Sequence, residues 1–437
     1  MLNRGMALYV IPRFWRPPPS AVREDPVVRR VQEILSSSIG AFLDPDRMQA
    51  LAEDLGCTVR NRKIHAGMVA NSLILSAMQH GPDTQGRWLD ALAIYGRMSG
   101  SDASPSAFGE RVRALEPMFR VLLSRRVLAL GDGRPELQGR LQRFADVLIP
   151  DGCAFKLAAT FAEVWPGTGT PAEFKLHTVY SVRSNGLADL RSSAGSVHDN
   201  DGFTPTTWVR SALYIWDLGY QDTDRFVDAA LSGAVPLQRL KDKINPVVLA
   251  WYDSAGKRHE LVGEDGRPLR LREACEFSAM PLEGHLDLDV EQCDGQGRKV
   301  VARVVCVPFE GADRWYLTTL PRDRFSPADV AEMYRVRWEI ERYFRTLRGA
   351  VRLDEVRRLR NPVAVRVALL ASLVAATLSQ ELANALNDLE DPLCAEEPAA
   401  PSTVRPALAS CTPTSSEAGF PPQRSRRAGG RVARRLR

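Results

Sequence analysis

Three carboxylates stand where chemistry is possible. Asp151 closes the apolar run VLIPD and Asp217 closes LYIWD, so each could present a carboxylate at the carboxyl edge of a sheet, a usual address for ligands in α/β proteins. Leu213, Ile215 and Asp217 share one strand face by the two-residue period, and a charge ending an apolar face needs a partner or a metal. An aspartate directly after a strand is equally the commonest kind of turn residue. The third carboxylate, Glu341, lies in YRVRWEIERYFRTLR. There Tyr334, Arg337, Glu341 and Arg348 are separated by three, four and seven residues and fall along one face of a single helix. That face carries a carboxylate flanked by cations. A solvated face of ion pairs fits the same spacing, with Trp338, Phe344 and Leu347 reading as core on the adjacent side.

The elements that must position these residues follow from periodicity. Residues from about 26 to 130 repeat apolar side chains at helical spacing, and residues 147 to 217 switch to short β-rich runs that suggest a mixed sheet. A polar helix fits 222–233, and residues from about 241 to 320 read almost wholly as strands. The clearest helix start is SPADVAEMY, with Ser326 as N-cap, Pro327 at the first position and Asp329 at the capping-box position. The expected division is a helical N-terminal region at 1–135, a mixed-sheet core in two parts at 140–235 and 323–388, an all-β insertion at 236–322, and a disordered Pro/Ser/Arg-rich tail at 389–437. The fold class is α/β, preceded by an all-α region.

Composition excludes more than it selects. With 44% hydrophobic and 25% charged residues the chain is an ordinary globular protein, neither disordered nor membrane-embedded. The formal charge of +5 is no argument for nucleic acid, because residues 401–437 hold eight arginines and one acid, leaving 50 − 52 = −2 for residues 1–400. A local patch is more telling: residues 331–360 hold nine arginines against five acids, a density suited to a phosphate backbone. Seven scattered cysteines, none spaced C-x-x-C, disfavour a disulfide framework and a zinc module, and fit a reducing cytoplasm. No signal peptide is expected from the arginine-broken N-terminus. The apolar run Val367–Leu378 is too short to span a bilayer by itself and reads as a buried helix. The polar run His198, Asp199, Asn200, Asp201 could be drawn as a metal site, but consecutive polar residues seldom converge on one ion and such a run is usually a loop.

The segment from Tyr334 to Arg348 resembles the Y-R-E-K signature of bacterial insertion-sequence transposases of the DDE class: Tyr334, Arg337 and Glu341 match in type and spacing, and Arg348 stands in place of the lysine. The preceding WYLTTLPRDRFSPADVAEMY is similar as well. In the same comparison DGCAFKL makes Asp151 the first family aspartate and YIWDLGY makes Asp217 the second, the resemblance covering about residues 90 to 385. Gly152 and Cys153 depart from the Ser or Thr that often follows the first aspartate, and Arg348 offers a planar fork instead of a point charge.

The resemblance implies DNA binding for the helical region at 1–135 and catalysis for the core at 140–235 and 323–388, a ribonuclease H-like mixed-sheet catalytic domain interrupted by the β insertion. It implies two Mg²⁺ (or Mn²⁺) ions held by Asp151, Asp217 and Glu341, phosphate contacts from Tyr334, Arg337 and Arg348, and sequence readout by the N-terminal helices. The implied partners are double-stranded DNA with terminal inverted repeats and target DNA, met by a homodimer on paired ends in the bacterial cytoplasm, associated with the nucleoid and with no membrane. Two other readings stay open: a non-catalytic DNA-binding remnant, and a ribonuclease H-like nuclease without strand transfer.

Overall fold

The computed structural model describes residue 29 and residues 32–390, apart from 59–63, 79–86, 133–136, 138, 204–206, 242, 277–284, 310–311 and 350–358. The tail from 391 onward, expected to be disordered, lies outside the described residues. Before the sheet come helices α1 (Pro45–Asp54), α2 (Ala66–Met78), α3 (Arg87–Ser99), α4 (Pro105–Ala114) and α5 (Glu116–Asp132). Their starts are written in the sequence: Asp44 and Ser104 accept backbone N–H bonds as N-caps, each followed by a proline that has no N–H to leave unsatisfied.

Ten strands form one mixed sheet. In chain order they are β1 (Val147–Lys156), β2 (Glu173–Ser181), β3 (Gly186–Ala194), β4 (Leu213–Trp216), β5 (Val235–Arg239), β6 (Val247–Tyr252), β7 (Arg258–His259), β8 (Leu286–Cys293), β9 (Lys299–Phe309) and β10 (Ala312–Thr318). Across the sheet the order is β3-β2-β1-β4-β5-β10-β9-β8-β6-β7. β1, β2 and β3 are antiparallel neighbours, whereas β4 runs parallel to both β1 and β5. Helix α6 (Thr223–Leu231) is the crossover between β4 and β5.

The segment expected as an all-β insertion differs from that reading in two ways. It contains a helix, α7 (Leu271–Glu276), whose Leu271 and Ala274 are buried against the strands. Its strands also extend the same sheet, because β10 returns beside β5 with Tyr316 opposite Arg239. β5 itself straddles the expected boundary at 235/236.

Each face of the sheet has its own core. Val147, Ile149, Cys153, Phe155, Leu213 and Ile215 pack with the N-terminal helices and with α8 (Pro327–Arg335), α9 (Trp338–Gly349) and α10 (Pro362–Glu390). Leu148, Tyr214 and Trp216 pack on the reverse face with Phe226 of α6 and Leu271 of α7. The alternation fixes which way every residue of β1 and β4 points. The apolar run at 367–378 falls within α10. Residues Pro362–Ala385 of that helix are long and apolar enough to cross a membrane, yet 72% of the apolar window is buried inside the protein, as in a core helix.

Helix α8 begins as the sequence dictates, with Ser326 and Asp329 forming a reciprocal capping box and Pro327 in the first turn. Its start is tied to the sheet by Arg303 of β9, a buried guanidinium that donates to the Phe325 carbonyl at 2.7 Å and to both carboxylate oxygens of Asp287 at 2.8 and 2.6 Å. Arg303→Met is expected to destabilise the fold by about 3 kcal/mol, the usual effect of leaving a buried ion without its partner, moderated because Arg322 also pairs with Asp287. Urea unfolding checks this; a loss under about 1 kcal/mol would show that Arg322 suffices.

Candidate active site

The β1–β4 ladder has only two rungs, Val147 with Leu213 and Leu148 with Tyr214. Extending that register by three residues places Asp151 beside Asp217, and their parity puts both on the face that packs against α8 and α9. Asp217 stands directly after β4, as expected. Asp151 does not end its strand: β1 continues to Lys156, so the carboxylate projects from mid-strand, where β1 still pairs with β2 but no longer with β4. Pro150, which has no N–H to donate, sits just past the last β4 rung and breaks none of them.

The helix expected to carry Tyr334, Arg337, Glu341 and Arg348 on one continuous face is two helices. α8 ends at Arg335 and α9 begins at Trp338. The junction is tight, with i to i−3 bonds from Arg337 N to Tyr334 O (3.1 Å) and from Glu339 N to Val336 O (3.0 Å). Tyr334 therefore lies in the last turn of α8, Arg337 in the junction, and Glu341 in the first turn of α9, where a carboxylate is favoured by the helix dipole. Trp338, expected in the core, is 57% exposed, while Phe344 and Leu347 are buried.

The break lets one guanidinium meet all three carboxylates. Arg337, its side chain only 16% exposed, places Nη2 at 2.6 Å from Glu341 Oε1, Nη1 at 3.9 Å from Asp151 Oδ2, and Nε at 4.0 Å from Asp217 Oδ1. Burial tends to lower its pKa, but the carboxylates raise it above the ordinary value. The Tyr334 hydroxyl donates to Asp217 Oδ1 over 3.4 Å, and its ring lies 5.2 Å from that of Tyr316. Arg348 lies further along β1: its Nη2 is 3.1 Å from Cys153 Sγ and its guanidinium is 5.7 Å from the centre of the Phe155 ring.

Asp151 is the carboxylate whose protonation the site controls. Its pKa is raised to about 6, chiefly because burial disfavours the charge, with the Gly152 N–H and Arg337 opposing the rise and Asp217 and Asp199 adding to it. A carboxylate held above its unfolded value contributes stability below the unfolded pKa of 3.8, and that contribution is lost as pH rises through about 6. Asp151→Asn is therefore expected to raise the stability of the metal-free protein at pH 7.5 by about 2 kcal/mol and to change it little at pH 4, as read by melting curves at both pH values. A variant less stable at pH 7.5 would contradict this burial argument.

Some neighbours carry no sequence motif. Lys175 of β2 pairs with Asp199 at 2.7 Å, and Arg225 of α6 binds the Asn200 side chain and the Tyr220 carbonyl at 2.9 and 3.1 Å. The run His198–Asp201 accordingly does not converge on one ion: Asp199 turns to Lys175, Asn200 to Arg225, and His198 accepts the Asn200 N–H. No period or motif marks Lys175, which shares the strand EFKLHTVYS with Glu173 and His177.

The donor set suits a hard divalent cation, being three carboxylates without His or Cys. Among the described residues no group of three His, Cys, Asp or Glu closes into a metal cage. Arg337 lies among the three carboxylates instead, and their convergence on a single cation marks the place where positive charge is needed.

The profile described as Transposase DDE domain matches residues 143–378, more than half of the chain and all of the site just described. The chain belongs to the transposase DDE domain family. Among proteins similar to this DDE-family chain, the transposase for insertion sequence element IS231F of Bacillus thuringiensis subsp. israelensis is 21% identical over 356 residues, 73% of each chain. The transposase for insertion sequence element IS421 of Escherichia coli is 38% identical over 66 residues. That stretch covers 15% of this DDE-family chain and 18% of the Escherichia coli relative.

Proposed function

We propose that this chain cleaves phosphodiester bonds at the ends of an insertion sequence and joins the freed 3′ hydroxyl to target DNA. The observation that carries this reading is the convergence of Asp151, Asp217 and Glu341 on Arg337 within a DDE-family domain. The sheet supports a ribonuclease H-like core, with antiparallel β1 to β3 followed by β4 and β5 parallel to β1. The division into a catalytic core, an inserted β-rich segment and N-terminal helices that read DNA sequence belongs to the same proposal, as does action as a dimer on paired ends.

Asp151, Asp217 and Glu341 would hold two Mg²⁺ or Mn²⁺ ions. Such ions supply a hydroxide-like nucleophile and offset charge at the phosphorus. The chain's own residues do the rest. In the metal-free site burial raises the Asp151 pKa to about 6, so metal has to displace its proton below that pH. Tyr334 donates to Asp217 over a long 3.4 Å bond that orients its carboxylate only weakly. Arg337 neutralises the carboxylates and can be drawn to a DNA phosphate, for which its planar fork is suited. Arg348, exposed beside Phe155, extends the phosphate path along β1.

The test uses labelled DNA carrying the element ends, unlabelled target DNA and Mg²⁺. Labelled ends covalently joined to target establish the reading. Nicked ends never joined to target point to a nuclease, and bound but uncut DNA to a binding-only protein.

A further inference from the structure

The two aspartates depend on something other than the sheet ladder for their spacing. Past Leu148 and Tyr214 no backbone rung links β1 to β4, yet Asp151 and Asp217 lie three residues beyond. On the carboxylate face Arg337 approaches each of them only at 3.9 and 4.0 Å, beyond hydrogen-bond range, so it holds them loosely. The reverse face is built differently.

There a continuous chain of polar contacts runs from β2 to the turn that carries Asp217. Lys175, opposite Ala154 in the β1–β2 ladder, places Nζ 2.7 Å from Asp199 Oδ1 and donates to the Val197 carbonyl at 3.2 Å. The 198–203 segment is then gripped by Arg225, which donates to Asn200 Oδ1 (2.9 Å), the Asn200 carbonyl (2.7 Å) and the Phe203 carbonyl (3.0 Å). The same guanidinium donates to the Tyr220 carbonyl at 3.1 Å, and the Tyr220 N–H donates to the Asp217 carbonyl at 3.0 Å. Gly152 shows how closely this chain presses on β1. A Cβ there would meet Asp199 Oδ1 at 2.6 Å, Lys175 Cε at 3.1 Å and the Tyr220 hydroxyl oxygen at 3.2 Å.

We infer that Lys175, Asp199 and Arg225 are positioning residues that set Asp217 against Asp151 from the reverse face of the sheet. The inference rests on Asp151 and Asp217 being metal ligands, as proposed above. A half-buried ion pair adds little net stability compared with apolar packing of the same shape, whereas it does specify a geometry. The spacing of two ligand carboxylates is a geometry that metal affinity reads directly.

The experiment measures, on the full chain, the Mg²⁺ concentration giving half-maximal end cleavage, Mn²⁺ affinity without DNA, DNA affinity, and melting temperature. Asp199→Asn, Lys175→Met and Arg225→Lys are each expected to raise the half-saturating Mg²⁺ and weaken Mn²⁺ binding by about 10- to 100-fold, with DNA affinity unchanged. The double variant Lys175→Met/Asp199→Asn is expected to be no worse than Lys175→Met alone, which already removes the contact the two residues share. Arg225→Lys keeps the charge but cannot make the four bonds, so it tests geometry even where a neutral variant folds poorly. Variants that melt lower but keep wild-type metal dependence would overturn the inference and leave a structural role. A wild-type chain that neither binds Mn²⁺ nor cleaves would instead overturn the ligand assignment on which it rests.

Discussion

Glu341→Gln, the exchange of one oxygen for an amide, is expected to lower Mg²⁺-dependent end cleavage by about 10³-fold or more, because losing a metal-binding carboxylate removes several kcal/mol of transition-state stabilisation. Glu341 is half-buried in the first turn of α9, and Gln is as good a helix former, so the fold should persist. The amide can still accept from Arg337 at the oxygen now 2.6 Å away, which preserves the local hydrogen bond while removing the charge. DNA affinity should therefore hold within a few fold in a gel-shift titration. Cleavage by the variant at a wild-type rate would remove Glu341 from the chemistry and with it the proposed triad.

Arg337→Gln should act in opposite directions on two measurements. In the free protein the guanidinium offsets three carboxylates, and its charge competes with any divalent cation for the same ground. Removing it is expected to tighten Mn²⁺ binding without DNA by about tenfold, equivalent to roughly 1.4 kcal/mol of relieved competition. Cleavage should nonetheless fall by roughly 10²- to 10³-fold, the usual loss when one preorganised donor to a reacting phosphate is removed. Electron paramagnetic resonance of free Mn²⁺ reads the first quantity and single-turnover nicking the second. Metal binding that weakens in step with cleavage would make Arg337 a support for the ligands and not their competitor.

The sequence carried the site unevenly, for physical reasons. Asp217 was legible because LYIW is a short apolar run that stops at a charge, and strand ends are local events. The position of Asp151 within its strand was not: Pro150 reads as a terminator, and it is tolerated only because β4 has already left that side of β1. The capping box at Ser326 and Asp329 is local chemistry and appeared as read. The break between α8 and α9 has no Gly or Pro to announce it, so a continuous 3.6-residue period carried Trp338 into the core on paper while the folded chain leaves it exposed. Lys175, Asp199 and Arg225 come from three separate elements, and neither period nor propensity can bring them together. Likewise the strand-rich composition of 241–320 was plain, but the pairing of Tyr316 with Arg239 is a long-range event that periodicity does not encode.

That pairing also bears on how such a chain can be altered. The chain leaves β5 after Arg239 and returns to pair with it at Tyr316, so the intervening strands are a detour within the same sheet whose two ends are already neighbours. The entropy of closing a detour grows only with the logarithm of its length. Its outer part around β6 and β7 could be lengthened, trimmed or replaced by a foreign module with adjacent termini, whereas β8 and β9 have to stay because Asp287 and Arg303 hold the start of α8. The detour is in effect a grafting site, and its outer strands are the place to attach a reporter or a new DNA-targeting module while leaving the carboxylates in register.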